Sequence, residues 1–164
     1  MDEQNLIQFR SIGIVNTPHR ELSGMPIQPP AAKLFEGTID ILPEFSEGLH
    51  GIEGFTRIML IYYLHKSNGC NLTVTPFLDK QSHGVFATRV PKRPNAIGFS
   101  VVRLLGREGN TLHIGDVDIL DGTPLLDIKP YVPLFDAYPD ERYGWFEGKL
   151  EDIEQARSDD RFMK

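Results

Sequence analysis

Three cationic side chains, Arg89, Lys92 and Arg93, crowd into the stretch RVPKRPNAIGFS at Arg89–Ser100, with Pro91 and Pro94 among them. Proline fixes its own backbone angle and lacks an amide donor, so this stretch is neither an ordinary helix nor a central strand. It reads as a stiff loop that presents guanidinium groups and leads into a strand at Phe99. Such a loop either binds a ligand or is a basic surface turn. His65 ends the strongest apolar run of the chain, FTRIMLIYYLH. A histidine there either reaches a site at the rim of a sheet or caps the strand through the backbone. Gln28 is the polar amide of the proline-rich SGMPIQPP, placed to hydrogen-bond a ligand or simply exposed. Asp121 and Gly122 form a turn pair, stiffened by Thr123 and Pro124. Read alone, Asp121 is a plain turn aspartate.

Charge is spread unevenly around these residues. The net charge is −6, yet Lys80–Arg107 carries six basic residues and no acidic one, whereas Asp136–Lys164 carries nine acids against five bases. An anionic partner such as RNA is steered to the middle of the chain and away from its end, although ordinary surface variation also produces such runs. No G-x-G-x-x-G follows a strand and no βαβ alternation is visible, which argues against a Rossmann-type nucleotide site. There is no G-x-x-x-x-G-K-S/T phosphate loop and no G-x-S-x-G elbow. The five histidines are far apart and lack metal-ligand spacing. Cys70 is the one cysteine, which rules out an internal disulfide framework and fits a reducing cytoplasm. With redox and metal cofactors set aside, binding by preformed loops remains.

The elements that must position these loops are short and rich in β signals. A length of 164 residues suits one domain with a sizeable core, and 15 glycines and 12 prolines imply many turns. No apolar run approaches the ~18 residues of a membrane helix. Strands are expected at Leu6–Val15, Phe35–Leu42, Phe55–His65, Leu72–Thr75, Gly84–Thr88, Gly98–Leu105 and Thr111–Leu120, the last with a β-bulge at Gly115. Pro43–Gly48 forms one helical turn with Glu44 and Glu47 toward solvent, and Gly106–Asn110 is a hairpin turn. Asp121–Tyr131 (DGTPLLDIKPY) reads as a second distinctive loop. About seven short strands with few helix signals argue for a mainly β fold, an antiparallel barrel or sandwich, over residues 1–135. Residues 136–164 read as a tail that packs on the barrel or on a partner subunit. There Tyr138, Tyr143, Trp145 and Phe146 are interleaved with charge, and Leu150–Ala156 is weakly helical.

IGIVNTPH, GVFATRV-x-x-RPN-x-IG-x-S and DGTPLLDIKPY occur in that order between Ile12 and Pro133. In this the chain resembles the TrmO (TsaA-like) family of methyltransferases. The resemblance implies an S-adenosylmethionine-dependent enzyme built on a single β-barrel rather than a Rossmann sheet. It implies N6-methylation of threonylcarbamoyladenosine next to the anticodon of tRNA. It also implies a homodimer with the cofactor site near the interface, in a minimal form without the extra C-terminal domain of some bacterial relatives. By residue, it implies cofactor contacts from Gln28, Pro29 and Pro30, from His65 and Lys66, from Arg89 with Phe99 as a neighbour, and from Asp121, Gly122, Thr123 and Pro124.

The residue types fit that ligand, which has a carboxylate, an amine, an adenine ring and a cationic sulfonium. The fork of Arg89 can pair with the carboxylate. Asp121 can accept from the amine or ribose, or face the sulfonium. Stiff proline loops lose little entropy on binding. Methyl transfer is an in-line displacement, and holding the reactants in near-attack geometry can supply ~7–11 kcal/mol of the barrier. No covalent enzyme intermediate is required. A base helps an amide-like nitrogen shed its proton, and Asp121 and His65 are the candidates. Lys92, Arg93 and Arg103 would contact RNA phosphates. Two other readings stay open: the same cofactor with another nucleoside or a small molecule as acceptor, or a non-catalytic S-adenosylmethionine-binding module. Each needs the Arg89 loop and the Asp121 loop to converge.

Overall fold

The computed structural model describes residues 6–27, 29–149 and 157–159. Six strands build its centre: β1 (Gly13–Asn16), β2 (Glu36–Ile41), β3 (Arg57–Tyr63), β6 (Ile97–Glu108), β7 (Thr111–Gly115) and β8 (Thr123–Pro130). They close into an antiparallel barrel in the order β1-β2-β7-β6-β3-β8. Between β3 and β6, the short strands β4 (Thr73–Val74) and β5 (His83–Gly84) pair as a separate ribbon. Alternation with period two fills the barrel. β3 turns Ile58, Leu60 and Tyr62 inward, β6 turns Ser100 and Val102, β7 turns Leu112 and Ile114, and β8 turns Thr123 and Leu125, all of them buried. Each large apolar side chain among them contributes roughly 1.5–3 kcal/mol by leaving water, and closure leaves the barrel no unpaired edge.

The expected mainly β barrel is thus present, and the strand ends carry the differences. The first strand is Gly13–Asn16 rather than Leu6–Val15, because pairing to both neighbours begins at Gly13, opposite Ile41 and Leu125. Gly84–Thr88 is not a strand. Pairing stops at Gly84, and Val85–Ala87 form a 3-10 turn whose Val85 carbonyl accepts from Thr88 Oγ1 at 2.9 Å. The strand expected at Thr111–Leu120 ends at Gly115, where Asp116 takes a left-handed φ of 62°. The register shifts of the barrel lie between Leu104 and Gly106 and between Ile61 and Tyr62 instead of at Gly115.

The largest correction is DGTPLLDIKPY. Most of it is the eight-residue strand β8, paired to β1 and β3. Its prolines hid it. Pro124 and Pro130 sit near its two ends, where a missing donor disturbs the ladder least. The turn expected at Pro43–Gly48 is a 3-10 helix, Pro43–Leu49, with Glu44 and Glu47 exposed. The helix expected at 150–156 lies outside the described residues. Among the described residues no helix is long and apolar enough to cross a membrane.

Candidate functional site

Antiparallel pairing brings the end of β3 beside the start of β6, with Tyr63 opposite Ile97, and the end of β1 beside the start of β8, with Val15 opposite Thr123. The four strand ends therefore share one rim of the barrel. A cleft of about 340 Å³ opens there, a size that suits a small molecule. His65, Lys66, Arg89, Arg93, Phe99 and Thr123 line it. Of the second stretch singled out in the sequence, Thr123 lines this cleft with Arg89, and so does the segment Asp118–Leu120 just before it, whereas Asp121, Gly122 and Pro124 do not line it.

The Arg89 loop is held by its own cation. Arg93 Nη1 donates to the carbonyls of Thr88 at 3.1 Å and Val90 at 3.3 Å, so Arg93 folds back on the loop while also lining the cleft. Ser67 Oγ donates to the Pro91 carbonyl at 2.9 Å and ties the loop to the chain after β3. Lys92 is partly buried, and its carbonyl accepts from the Asn71 amide at 3.3 Å. His65 is partly buried, with Nδ1 3.4 Å from Thr123 Oγ1. Burial, helped by the Lys66 charge, holds its imidazole below the usual value. Gln28 lies outside the described residues, and Pro29 opens a 3-10 turn that runs to Ala32.

Asp121 serves the loop itself. Its Oδ1 accepts from the Thr17 amide at 2.9 Å, and Thr17 Oγ1 donates to the Ile119 carbonyl at 2.8 Å. The Asp121 amide donates to the His19 carbonyl at 2.8 Å, and His19 Nε2 lies 2.9 Å from the Val117 carbonyl. The NTPH turn after β1 is thereby fastened to the segment before β8. Gly122, at φ 73°, completes the turn in a conformation other residues resist. Leu120 and Thr123 reach the cleft, and Asp121 is directed at Thr17. Arg103 lies elsewhere. It is six residues along β6 from Ile97, roughly 20 Å at 3.3 Å per residue, and pairs with Asp116 at 3.0 Å beside Arg57.

Sequence reasoning missed the floor of the cleft. Ser100 Oγ donates to Asp118 Oδ1 at 2.7 Å and lies 3.0 Å from the Tyr62 hydroxyl. Burial pushes the Asp118 carboxyl up to about 6, against the Ser100 hydrogen bond and the Arg89 charge. Burial, with the Asp118 charge, also pushes the Tyr62 phenol up. Gly98 makes this arrangement possible, because a Cβ there would overlap the Tyr62 ring, 2.6 Å from Cζ. An aspartate between two aliphatic residues, Val117 and Ile119, was the available signal.

Sequence reasoning also left the tail unassigned to the site. Trp145 stacks on His83 and Phe146 with centroids 5.0 and 3.8 Å away, and its Nε1 donates to the Ala87 carbonyl at 2.7 Å. Lys149 and His83 both reach Asp79, at 2.7 and 2.8 Å, and hold its carboxyl well below the usual range. Farther on, Ser158 exchanges backbone bonds of 2.9 Å with Gly24 and Met25. Trp145, Phe146, Ser158 and Asp159 all line the cleft, so the tail forms one of its walls.

A closed antiparallel barrel with a cation-bearing loop over a carboxylate floor is a binding scaffold for a small charged ligand, reached without a Rossmann sheet. The chain belongs to the tRNA-methyltransferase O N-terminal domain family, whose model matches residues 14–137. It is 55% identical over 158 residues to a Pyrococcus abyssi protein named "Probable S-adenosyl-L-methionine-binding protein", covering 96% of this chain and 86% of that one. It is 34% identical over 143 residues to the tRNA (adenine(37)-N6)-methyltransferase of Escherichia coli, covering 81% of this chain and 61% of that protein. Its fold is similar to the crystal structure of TrmO from Pseudomonas aeruginosa, with a TM-score of 0.71 at 40% identity, over 85% of this chain and 62% of that one. The chain thus spans less than two thirds of the last two.

Proposed function

We propose that this chain is an S-adenosylmethionine-dependent methyltransferase that acts on N6 of threonylcarbamoyladenosine next to the anticodon of tRNA, in the cytoplasm and as a homodimer. The observation that carries this reading is the convergence of Arg89 and the segment before β8 on one cleft. The lining fits the cofactor. Arg89 is exposed on the cleft side of a stiff loop and can bind the carboxylate through its fork. Lys66 adds a second cation at the same rim. Phe99, 43% exposed, offers a ring face to adenine. Thr123, fixed by its 2.6 Å bond to the Leu120 carbonyl, sets the backbone of 120–123 for polar contacts. Asp121 acts through that loop, by holding Thr17. When bound, the cofactor supplies an electrophilic methyl group.

Lys92 and Arg93, beside the cleft, are the phosphate contacts in this reading, and Arg103 would meet a more distant part of the tRNA. Ile97 and Phe99, exposed at the lip, suit a subunit contact near the site. Incubation with radiolabelled S-adenosylmethionine and bulk tRNA, followed by nucleoside analysis, tests the proposal. Label on threonylcarbamoyladenosine is expected. Label only on other nucleosides or small metabolites would assign a different acceptor, and binding without transfer would make the chain a cofactor-binding module.

A further inference from the structure

We propose that Asp118 receives the proton released by the acceptor nitrogen during methylation, with Ser100 and Tyr62 holding its carboxylate in place. This rests on the methyltransferase reading above. Asp118 lies between Val117 and Ile119, both fully buried, which lock the segment against the barrel while Asp118 lines the cleft. Ser100 donates to Asp118, so the 3.0 Å contact between Ser100 and Tyr62 has the phenol as donor. The three groups come from β6, β3 and the link between β7 and β8, yet they form one directed chain that ends at the cleft. Elsewhere the same strands face inward with Leu60 and Val102. A polar chain among such neighbours is costly unless fully bonded, and here its accepting end is the Asp118 carboxylate.

Among the described residues, the other charged and titratable groups lining the same cleft are Arg89, Arg93, His65, Lys66, Tyr62 and Asp159. A carboxyl pushed up to about 6 is ionised at neutral pH and is a stronger base than an exposed one. In the step, the lone pair of the acceptor nitrogen forms a bond to the methyl carbon. The carbon–sulfur bond breaks with its electron pair going to sulfur, which leaves a neutral thioether. The N–H proton passes to the Asp118 carboxylate and then to water, and no oxidant or reductant is needed.

The test uses the full chain and two variants, Asp118→Asn and Ser100→Ala. Cofactor affinity is read by calorimetry, single-turnover methyl transfer to tRNA is followed from about pH 5 to 9, and the Asp118 carboxyl is titrated by carbon NMR in the ligand-free protein. Asp118→Asn is expected to bind S-adenosylmethionine within about threefold of the parent and to transfer methyl at least about 100-fold more slowly. Ser100→Ala removes a hydrogen bond that favours the ionised form. Its carboxyl titration and the acid limb of its rate profile are both expected to move to higher pH. Undiminished transfer by Asp118→Asn would overturn the proposal. So would a loss wholly explained by weaker cofactor binding, or an acid limb that stays put in Ser100→Ala while the carboxyl titration moves. Should Asp118→Asn fail to fold, Ser100→Ala decides alone. Absence of any transfer by the parent chain would instead overturn the methyltransferase reading, and this inference with it.

Discussion

Arg89 and Asp118 face one cleft with opposite charge, and each predicts its own result. Replacing Arg89 with alanine removes a charge-assisted fork worth about 1.5–3 kcal/mol. Calorimetry should therefore show S-adenosylmethionine binding weakened by roughly 10- to 100-fold, with the fold retained because Arg89 is exposed. Asp118 works against stability at neutral pH. Its carboxyl is raised from 3.8 to about 6 in the fold, so between those values the folded chain holds a proton that the unfolded chain has already lost, and at neutral pH the fold carries the cost of a half-buried charge. The resulting stabilisation is full below the ordinary carboxylate value and is lost as pH rises through about 6. Asp118→Asn should thus be more stable than the parent at neutral pH, by on the order of 1–2 kcal/mol after discounting for partial exposure, and show little gain near pH 4 in thermal melts. Gly98→Ala pushes against the Tyr62 ring, and thermal melts should show a loss of about 1–3 kcal/mol. Arg89 and His65 were legible from residue type and from their places at a proline loop and a strand end. Asp118 was not, because an aspartate in an alternating run looks like the outward face of a strand. Only the closure of the barrel turns it toward Ser100.

Strands and loops were legible where side chains alternate and obscured where prolines intervene. Phe55–His65 announced β3 because its apolar alternation is long. β8 was concealed by Pro124 and Pro130, although Thr123 and Leu125 keep the inward alternation. The tail shows the opposite limit. Trp145 and its neighbours were visible as aromatics, but their partners Asp79, His83 and Ala87 lie far back in the chain. No local pattern can reveal pairings of that span. Trp145→Ala removes both ring stacks and the bond to Ala87, and is expected to cost about 1–3 kcal/mol. Limited proteolysis should then nick the tail sooner, and cofactor affinity should fall, since Trp145 lines the cleft. Unchanged affinity with faster nicking would make the tail a structural brace and not a wall of the site.

Across the whole molecule, one rim of the barrel gathers the four strand ends, the Arg89 loop, the segment before β8 and the tail. The opposite end holds a second hollow near Phe45, His50 and Asp127, which no lysine or arginine among the described residues lines. The basic run from Lys80 to Arg107 divides between the two ends, with Arg89 and Arg93 at the cleft and Arg107 bound to Glu53 and the Leu49 carbonyl. An RNA footprint is therefore expected around the first rim. The most direct measurement is a crystal structure with S-adenosylhomocysteine bound. The product should lie in the first cleft, its carboxylate on Arg89 and its sulfur on the side of the Asp118–Thr123 segment. Density in the hollow near Phe45 and His50, or at the first rim but out of reach of Arg89, would contradict the assignment of this cleft.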